Sequence, residues 1–145
     1  AKNIYEALVK IDSSNKEFYL NNYKDFVAKI EKLNEKLEEI LHPFEHKAFM
    51  VFHPSWGYFA KRYHLEQIAI EVQGKEPKPA QLVELVEEAK LHDIKIVFVS
   101  PQFSKSGAEV ISKSIDGNTA VINPLSKKWD ENLLKVAKEI AKSYK

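Results

Sequence analysis

Residues 48–63 read AFMVFHPSWGYFAKRY, and this stretch decides the fold. The run AFMVF is continuously apolar, which is typical of a strand buried on both faces of a parallel sheet. The run ends at His53-Pro54, and Phe59 and Tyr63 then follow at helical spacing. The stretch therefore predicts a strand followed by a helix, with His53 at the carboxyl end of the strand.

The same alternation continues to the end of the chain. Apolar segments alternate with amphipathic patterns of helical length. The apolar segments are 48–52, 66–72, 94–99 and 119–122, and the helical patterns are 55–63, 79–92, 104–115 and 129–144. Strands that alternate with helices favour a parallel sheet, so we predict an α/β fold with a four-stranded parallel sheet flanked by helices in the chain order βαβαβαβα. Ser126 is predicted to cap the last helix.

Two helices are predicted ahead of the sheet. Apolar residues recur at three- and four-residue spacing over 1–11 and again over 16–41, and Pro43 ends the second pattern. The second helix is longer than a small α/β unit needs, which favours a connecting strut. We therefore divide the chain into a helical segment, 1–41, and an α/β domain, 42–145. Because the chain opens without Met and inside a helical pattern, we expect it to be part of a longer or processed protein.

Composition narrows the functional classes. The chain has 145 residues with 22 basic and 21 acidic side chains, and its net charge of +1 gives no electrostatic reason to expect a nucleic-acid partner. It has no cysteine, which excludes disulfides, thiolate zinc sites and thiol catalysis. No apolar run approaches the roughly 20 residues that span a bilayer.

The residues that follow the predicted strands are the candidates for chemistry, because ligands of open α/β sheets bind beyond the carboxyl ends of the strands. These strand ends are His53-Pro54-Ser55, Gln73-Gly74-Lys75, Ser100-Pro101-Gln102 and Asn123-Pro124. They contain no glycine-rich dinucleotide turn, no phosphate-binding loop and no nucleophile elbow. A triad of Ser100, His53 and an acid would need an ordering group that the pattern does not supply. The sequence therefore predicts a protein that is not an enzyme.

Metal binding is the stronger question at these strand ends. Neutral imidazole is a good ligand for zinc, but a zinc site needs three or four convergent ligands. His53 taken alone is compatible with a metal-binding role and with a structural role in the loop. His42 and His46 stand four residues apart, but Pro43 makes a helix there doubtful, so a solvated pair is favoured.

The aromatic residues after His53 have two interpretations, a sugar-binding platform and a packing face. The group comprises Trp56, Tyr58, Phe59 and Tyr63. Phe59 and Tyr63 have the spacing of a helix that packs on a sheet, so packing is favoured.

Several motifs in register carry a resemblance to a known family. FHPSWGYFAKRYHL (52–65) resembles the segment H-P-A-F-G-Y-F-A-K-R-Y-G-L of the zinc/manganese-type solute-binding proteins of ABC transporters. IKIVFVSPQFSKSGAEVISKSI (94–115) and INPL (122–125) are similar to V-K-V-I-F-V-E-P-Q-F-S-K-K-S-A-E-T-I-A-K-E-I and I-D-P-L of that family. NIYEALVKIDSSNKEFYLNNYKDF (3–26) resembles the segment that leads into its long backbone helix. The resemblance covers essentially the whole chain.

The resemblance implies the C-terminal lobe of a two-lobed protein, together with its connecting helix. Such proteins hold a divalent metal, zinc in the first place and manganese as the second candidate, in the cleft between the lobes and deliver it to an ABC permease in the membrane. The N-terminal lobe, which would supply two histidines, would be the partner of this chain. The resemblance also implies a periplasmic or membrane-anchored extracytoplasmic location.

The resemblance assigns the metal site to His53 and to Asn123, which stands where the family has an aspartate. Ser100 replaces the usual glutamate as a cleft-lining residue. Because an amide is a weaker ligand than a carboxylate, we expect an incomplete metal site in this chain. The alternative is a metal-free structural or interaction module, whose exposed helices would favour self-association.

Overall fold

The computed structural model describes residues 1–72, 74–102 and 106–145, and it confirms the predicted α/β class. The helices are α1 (Lys2–Ile11), α2 (Lys16–Leu41), α3 (Gly57–Arg62), α4 (Pro79–Leu91), α5 (Ser106–Ser114) and α6 (Trp129–Lys142), and the strands are β1 (Ala48–Val51), β2 (Glu66–Ala69), β3 (Ile96–Val99) and β4 (Asn118–Val121). Single 3₁₀ turns occupy Ser13–Asn15 and His42–Phe44, the second of which contains the predicted helix breaker Pro43. Two predicted positions, Gln73 after the second strand and the start of the 104–115 helix at Ser104-Lys105, lie outside the described residues.

The four strands form one parallel sheet in the order β2-β1-β3-β4. Met50 on β1 is paired with Ile68 on β2 and with Val97 on β3, which fixes the register of the central strands. The chain moves outward from β1 to β2 on one side and from β3 to β4 on the other. The strand order therefore reverses between β1 and β3, and such a switch point opens a crevice beyond the carboxyl ends of the strands.

The two central strands, β1 and β3, are buried on both faces, as their continuous apolar runs predicted, whereas the edge strands β2 and β4 are partly exposed. Side chains alternate along each strand, so Met50 and Val97 face one side while Phe49 and Phe98 face the other. All four are at most 1% exposed. The cluster on the Met50 side combines strand residues with residues of α4 and α5, and it comprises Ala48, Met50, Phe52, Ile68, Ile70, Leu85, Ala89, Ile94, Val97, Val99, Ala108, Ile111 and Ile115.

The chain separates into two compact units, Ala1–Lys36 and Leu37–Lys145, with the division inside α2. In the first unit, the rings of Tyr5 and Tyr23 stack with centroids 5.2 Å apart. The turn between α1 and α2 is organised by the carboxylate of Asp12. It accepts hydrogen bonds from the side chains of Ser14, Asn15 and Tyr19, at 2.7, 2.8 and 2.7 Å. These bonds explain why a cluster of short polar residues separates the two helices.

Two local predictions were wrong. The residue before α6 is Lys128, and no side chain caps that helix end, so Ser126 is not its cap. Tyr58 is 95% exposed, whereas its neighbours Trp56 and Tyr63 are buried. The aromatic group after His53 therefore packs only in part, because Tyr58 lies on the outer face of the short helix α3.

Among the described residues, none of the helices combines the length and the apolar composition needed to cross a bilayer.

Candidate metal centre

The structure places the three predicted site residues along one edge of the sheet. His53 follows β1, Ser100 follows β3 and Asn123 follows β4. The ladder extends past the strand ends, because Phe52 N donates to Phe98 O at 2.8 Å and Ile122 N donates to Val99 O at 2.9 Å. β3 lies between β1 and β4, so the axes of the two outer strands of this trio are about 10 Å apart at the usual strand spacing.

The backbone at His53 is fixed by the residue before it. Phe52 is buried at 2% exposure, and its ring packs so closely on α5 that a Cβ at Gly107 would lie 2.9 Å from it. Ser55 N donates to His53 O at 2.8 Å, which closes a tight turn directly after the strand. A core anchor on one side and a turn on the other hold His53 at the switch point of the sheet.

The imidazole of His53 contacts a carboxylate that the sequence interpretation missed. His53 Nδ1 is in hydrogen-bond contact with Glu71 Oε2. Glu71 lies just beyond β2, where Ile70 N donates to Val51 O at 2.9 Å and Glu71 N donates to Phe52 O at 3.0 Å. The side chains are 33% exposed for His53 and 10% for Glu71. The sequence contained a signal for Glu71, because it is a charged residue at the end of an apolar segment. The segment was predicted to run to residue 72, so Glu71 was counted within the strand and not among the residues after it.

Asn123 lies in a different arrangement. Its Oδ1 accepts hydrogen bonds from Gln102 Nε2 at 2.9 Å and from Leu125 N at 3.0 Å. Its backbone oxygen accepts from Asn132 Nδ2 at 2.8 Å, which ties the strand end to the first turn of α6. A carbonyl oxygen has two lone pairs, so both acceptor sites of Oδ1 are occupied by protein donors. The side chain of Asn123 therefore links Gln102, after β3, to Leu125, after β4, through hydrogen bonds.

Ser100 lies at the switch point itself, directly after β3. It is 3% exposed and is one of the few buried polar residues in the described part of the chain. It forms part of the floor of this edge, and the cleft-lining role assigned to it stays a prediction.

The remaining histidine pair is separate from this edge. His42 Nδ1 lies 2.9 Å from Glu45 Oε1, and this hydrogen bond is the main reason why the pKa of the exposed Glu45 carboxyl is lowered. His46 has a positive φ of 65°, so it does not continue a helix from His42. The doubt about a helical His42/His46 pair is confirmed.

The donor set at the sheet edge defines what the site can do. Within residues 1–72, 74–102 and 106–145, no three His, Cys, Asp or Glu side chains converge as a metal site would require. One imidazole backed by a carboxylate can supply a single zinc ligand, and a zinc site needs three or four ligands.

Comparison with known proteins identifies relatives along the whole chain. The family model described as "Zinc-uptake complex component A periplasmic" matches residues 1–145. The high-affinity zinc uptake system protein ZnuA of Bacillus subtilis (strain 168) is 34% identical over 126 residues, which are 86% of this chain and 40% of that protein. The manganese ABC transporter substrate-binding lipoprotein PsaA of Streptococcus anginosus is 32% identical over 120 residues, or 78% of this chain and 38% of that protein.

A solved structure gives the same relationship in three dimensions. The crystal structure of ZnuA superimposes with a TM-score of 0.95 and 39% identity, and the match covers 99% of this chain and 56% of that one. The chain therefore spans less than half of the two curated relatives and about half of the solved structure.

Proposed function

The chain belongs to the family of the periplasmic component A of zinc-uptake complexes, and on that premise we propose that it is the C-terminal lobe, with the connecting helix, of a two-lobed solute-binding protein for divalent metal. The segment 1–41 is assigned to the end of the N-terminal lobe and the long backbone helix. The segment 42–145 is assigned to the C-terminal α/β lobe. The assigned boundary follows the end of α2 at Leu41 rather than the division after Lys36.

One observation carries the proposal: His53 stands at the switch point of a parallel sheet with its ring held by a carboxylate. A rigidly placed, carboxylate-backed imidazole is the usual form of a histidine ligand to zinc. The curated relatives are described as a zinc uptake protein and a manganese transporter lipoprotein. Zinc is the proposed cargo, with manganese as the second candidate, and an imidazole ligand favours zinc over manganese.

The site in this chain is incomplete. His53 supplies one strong ligand, and the oxygen of Asn123 already accepts two hydrogen bonds. For Asn123 to bind a metal ion, that oxygen has to exchange at least one protein donor for the ion, which lowers its net contribution. The remaining ligands come from the N-terminal lobe in this proposal, so the metal closes the cleft between the lobes.

The proposed mechanism is capture and delivery without a chemical step. The lobes close on the ion, and the loaded protein docks on the membrane permease of an ABC importer. The location that fits this role is extracytoplasmic, either periplasmic or anchored to the membrane by lipid. The matching family model is described as periplasmic and one relative as a lipoprotein, which supports that location.

Calorimetric titration of the 145-residue chain tests the proposal. Zinc is expected to bind at one weak site, with a dissociation constant above about 1 μM, because a single imidazole replaces a shell of three or four ligands. Manganese is expected to bind more weakly than zinc, and magnesium, which prefers oxygen ligands, is the negative control. Absence of zinc binding at millimolar concentration, or equal binding of zinc and magnesium, would contradict the proposal.

The helical segment offers the surface proposed to contact the N-terminal lobe. Apolar side chains of α1 and α2 line a groove of about 320 Å³ in the first unit, and Ile4 and Phe18 are 67% and 63% exposed. Exposed apolar surface of this kind marks an interaction site. Without the N-terminal lobe, we expect this surface to drive self-association of the chain.

Light scattering over a range of protein concentrations tests the self-association. The average mass is expected to rise with concentration, and Phe18→Ser should suppress the rise. Tyr58→Ser is the matched control, because it removes an aromatic ring that is even more exposed but is not among the residues that line the groove. A wild-type chain that stays monomeric at high concentration would contradict this expectation.

A further inference from the structure

We propose that Glu71 is a positioning residue for metal capture: it holds the ring of His53 through Nδ1 and thereby selects Nε2 as the atom that coordinates the ion. The inference rests on the proposed function for the identity of the ligand as a metal. The arrangement of the two side chains is a property of the metal-free chain and can be tested without metal.

The backbone brings the two residues side by side. β1 and β2 are parallel neighbours, and their ladder continues beyond both strands through Ile70 N to Val51 O and Glu71 N to Phe52 O, at 2.9 and 3.0 Å. Glu71 is thus bonded to the residue that precedes His53. Because Phe52 and Ile70 are both buried in the core, neither strand end can slide relative to the other. The pair is set by the sheet register, in contrast to a contact between two mobile surface chains.

Partial burial strengthens the need of the carboxylate for a hydrogen-bond donor. The Glu71 side chain is only 10% exposed, and its Oε2 is in contact with His53 Nδ1. A largely buried carboxylate without a hydrogen bond is costly, so the histidine donor stabilises Glu71 while Glu71 orients the histidine ring. An ionised carboxylate can only accept hydrogen bonds. The ring proton of neutral His53 therefore lies on Nδ1, and the lone pair lies on Nε2.

The orientation has a direct consequence for the metal ligand. The two ring nitrogens flank Cε1 and their bonding directions diverge in the ring plane, so a ring held through Nδ1 at Glu71 directs Nε2 away from that carboxylate. A carboxylate behind a histidine ligand fixes the tautomer and the ring orientation and raises the basicity of the coordinating nitrogen. Loss of such a partner typically weakens metal affinity about 10- to 100-fold.

The first measurement is the tautomer of His53 in the metal-free chain. A ¹H–¹⁵N spectrum of the histidine-labelled protein at about pH 8, above the ordinary histidine pKa of about 6.5, distinguishes the protonated ring nitrogen from the bare one. The wild type is expected to show a proton on Nδ1 and none on Nε2. A wild-type spectrum with the proton on Nε2 would overturn the proposal.

Two substitutions separate positioning from other roles of the carboxylate. Glu71→Gln keeps an acceptor oxygen at the same place, so it should keep the Nδ1 proton and lose less than about tenfold in zinc affinity. Glu71→Ala removes the acceptor, so it should shift the proton toward Nε2 and lose about 10- to 100-fold. Glu66→Ala is the matched control, because Glu66 is an exposed glutamate at the opposite end of β2, and it should change neither reading.

The outcomes distinguish this proposal from the proposed function. If Glu71→Ala leaves the tautomer unchanged, or if Glu71→Gln keeps the tautomer and loses as much zinc affinity as Glu71→Ala, positioning is wrong and Glu71 acts as a ligand or as a charge. If Glu71→Ala does not fold, the wild-type spectrum and the Glu71→Gln pair still decide. If the wild type has the expected tautomer but zinc moves no His53 signal, the proposed function fails and the tautomer assignment stands.

Discussion

The two candidate ligands at this sheet edge differ in what their neighbours do to them. His53 contacts the largely buried carboxylate of Glu71, which in the proposed function orients the ring for the ion. Asn123 contacts the exposed Gln102 and the backbone of Leu125, and these donors occupy the oxygen that a metal ion would need. Two residues at equivalent positions, each after a parallel strand, therefore have different hydrogen-bond partners: a carboxylate for His53 and two N–H donors for Asn123.

On the proposed assignment, the partners of a side chain, in addition to its position in the fold, determine how well it can bind a metal ion. A carboxylate behind a histidine increases the electron density on the coordinating nitrogen. Two N–H donors in front of an amide oxygen compete with the metal for the same lone pairs. Substitutions at either residue or at its partner distinguish the two environments.

Removal of the His53 side chain is expected to reduce zinc affinity more than any other substitution. His53→Ala should weaken zinc binding at least about 100-fold, because the only strong ligand proposed for this chain is gone and a zinc site needs convergent ligands. Calorimetry measures the loss, and His92→Ala, a histidine at the end of α4, is the control that should leave the affinity unchanged. Unchanged zinc affinity in His53→Ala would remove His53 from the site.

Conversion of the occupied amide to a carboxylate should partly restore the second ligand. Asn123→Asp places a negative charge at the edge, and a divalent ion about 4 Å from it gains about 2 kcal/mol even in bulk water. That energy corresponds to about a 30-fold gain in zinc affinity, which should shrink as salt is added. Asn118→Asp, at the other end of β4, is the matched control and should give no gain. Equal gains in both variants would indicate a long-range charge effect without coordination.

Release of Asn123 from its side-chain donor should have a small effect. Gln102→Ala removes one of the two hydrogen bonds to Oδ1, and a hydrogen bond at an exposed position contributes at most about 1 kcal/mol to stability. We expect a loss below that value in urea unfolding and a change of less than about threefold in zinc affinity. A gain of tenfold or more would show that Gln102 masks a competent ligand, which would contradict the contrast drawn between the two sites.

The carboxylate of Asp12, in the turn between α1 and α2, is a second oxygen acceptor on which several donors converge, and they lower its pKa. Hydrogen bonds from Asn15, Ser14 and Tyr19 lower the pKa of Asp12 from 3.8 to about 2. Because the folded pKa is depressed, the stabilisation is present above about pH 4 and is lost as the pH falls toward 2. The carboxyl carbon of Asp12, followed by NMR, should titrate near pH 2, and the turn between α1 and α2 should loosen over that interval. Titration near pH 4 would mean that the donors do not hold this carboxylate.

The sequence predicted the sheet and the location of the edge because those features depend on local patterns. Each apolar run formed a strand, and α2 has the predicted bounds, since period and burial are written in neighbouring residues. His53, Ser100 and Asn123 all lie at the carboxyl edge for the same reason: a strand that ends at a given residue delivers the next ones to a known place.

The partners of the site residues were not predicted, because they depend on contacts between distant segments. Glu71 meets His53 only through the register of β1 with β2, and the predicted strand ended too late to single it out. Gln102 meets Asn123 through the conformations of two loops. Tyr58 was grouped with the packing residues Phe59 and Tyr63 but lies on the outer face of a helix of six residues, which is too short for its periodicity to specify the face of each aromatic ring.

An NMR titration of the labelled chain with zinc tests whether His53 is the metal ligand, because it locates the ion. We expect the ring signals of His53 to shift most and the signals of Glu71 to shift with them. The side-chain amide signals of Gln102 and Asn123 should move little. Shifts centred on His42 and His46, or on Asn123 without His53, would contradict the account.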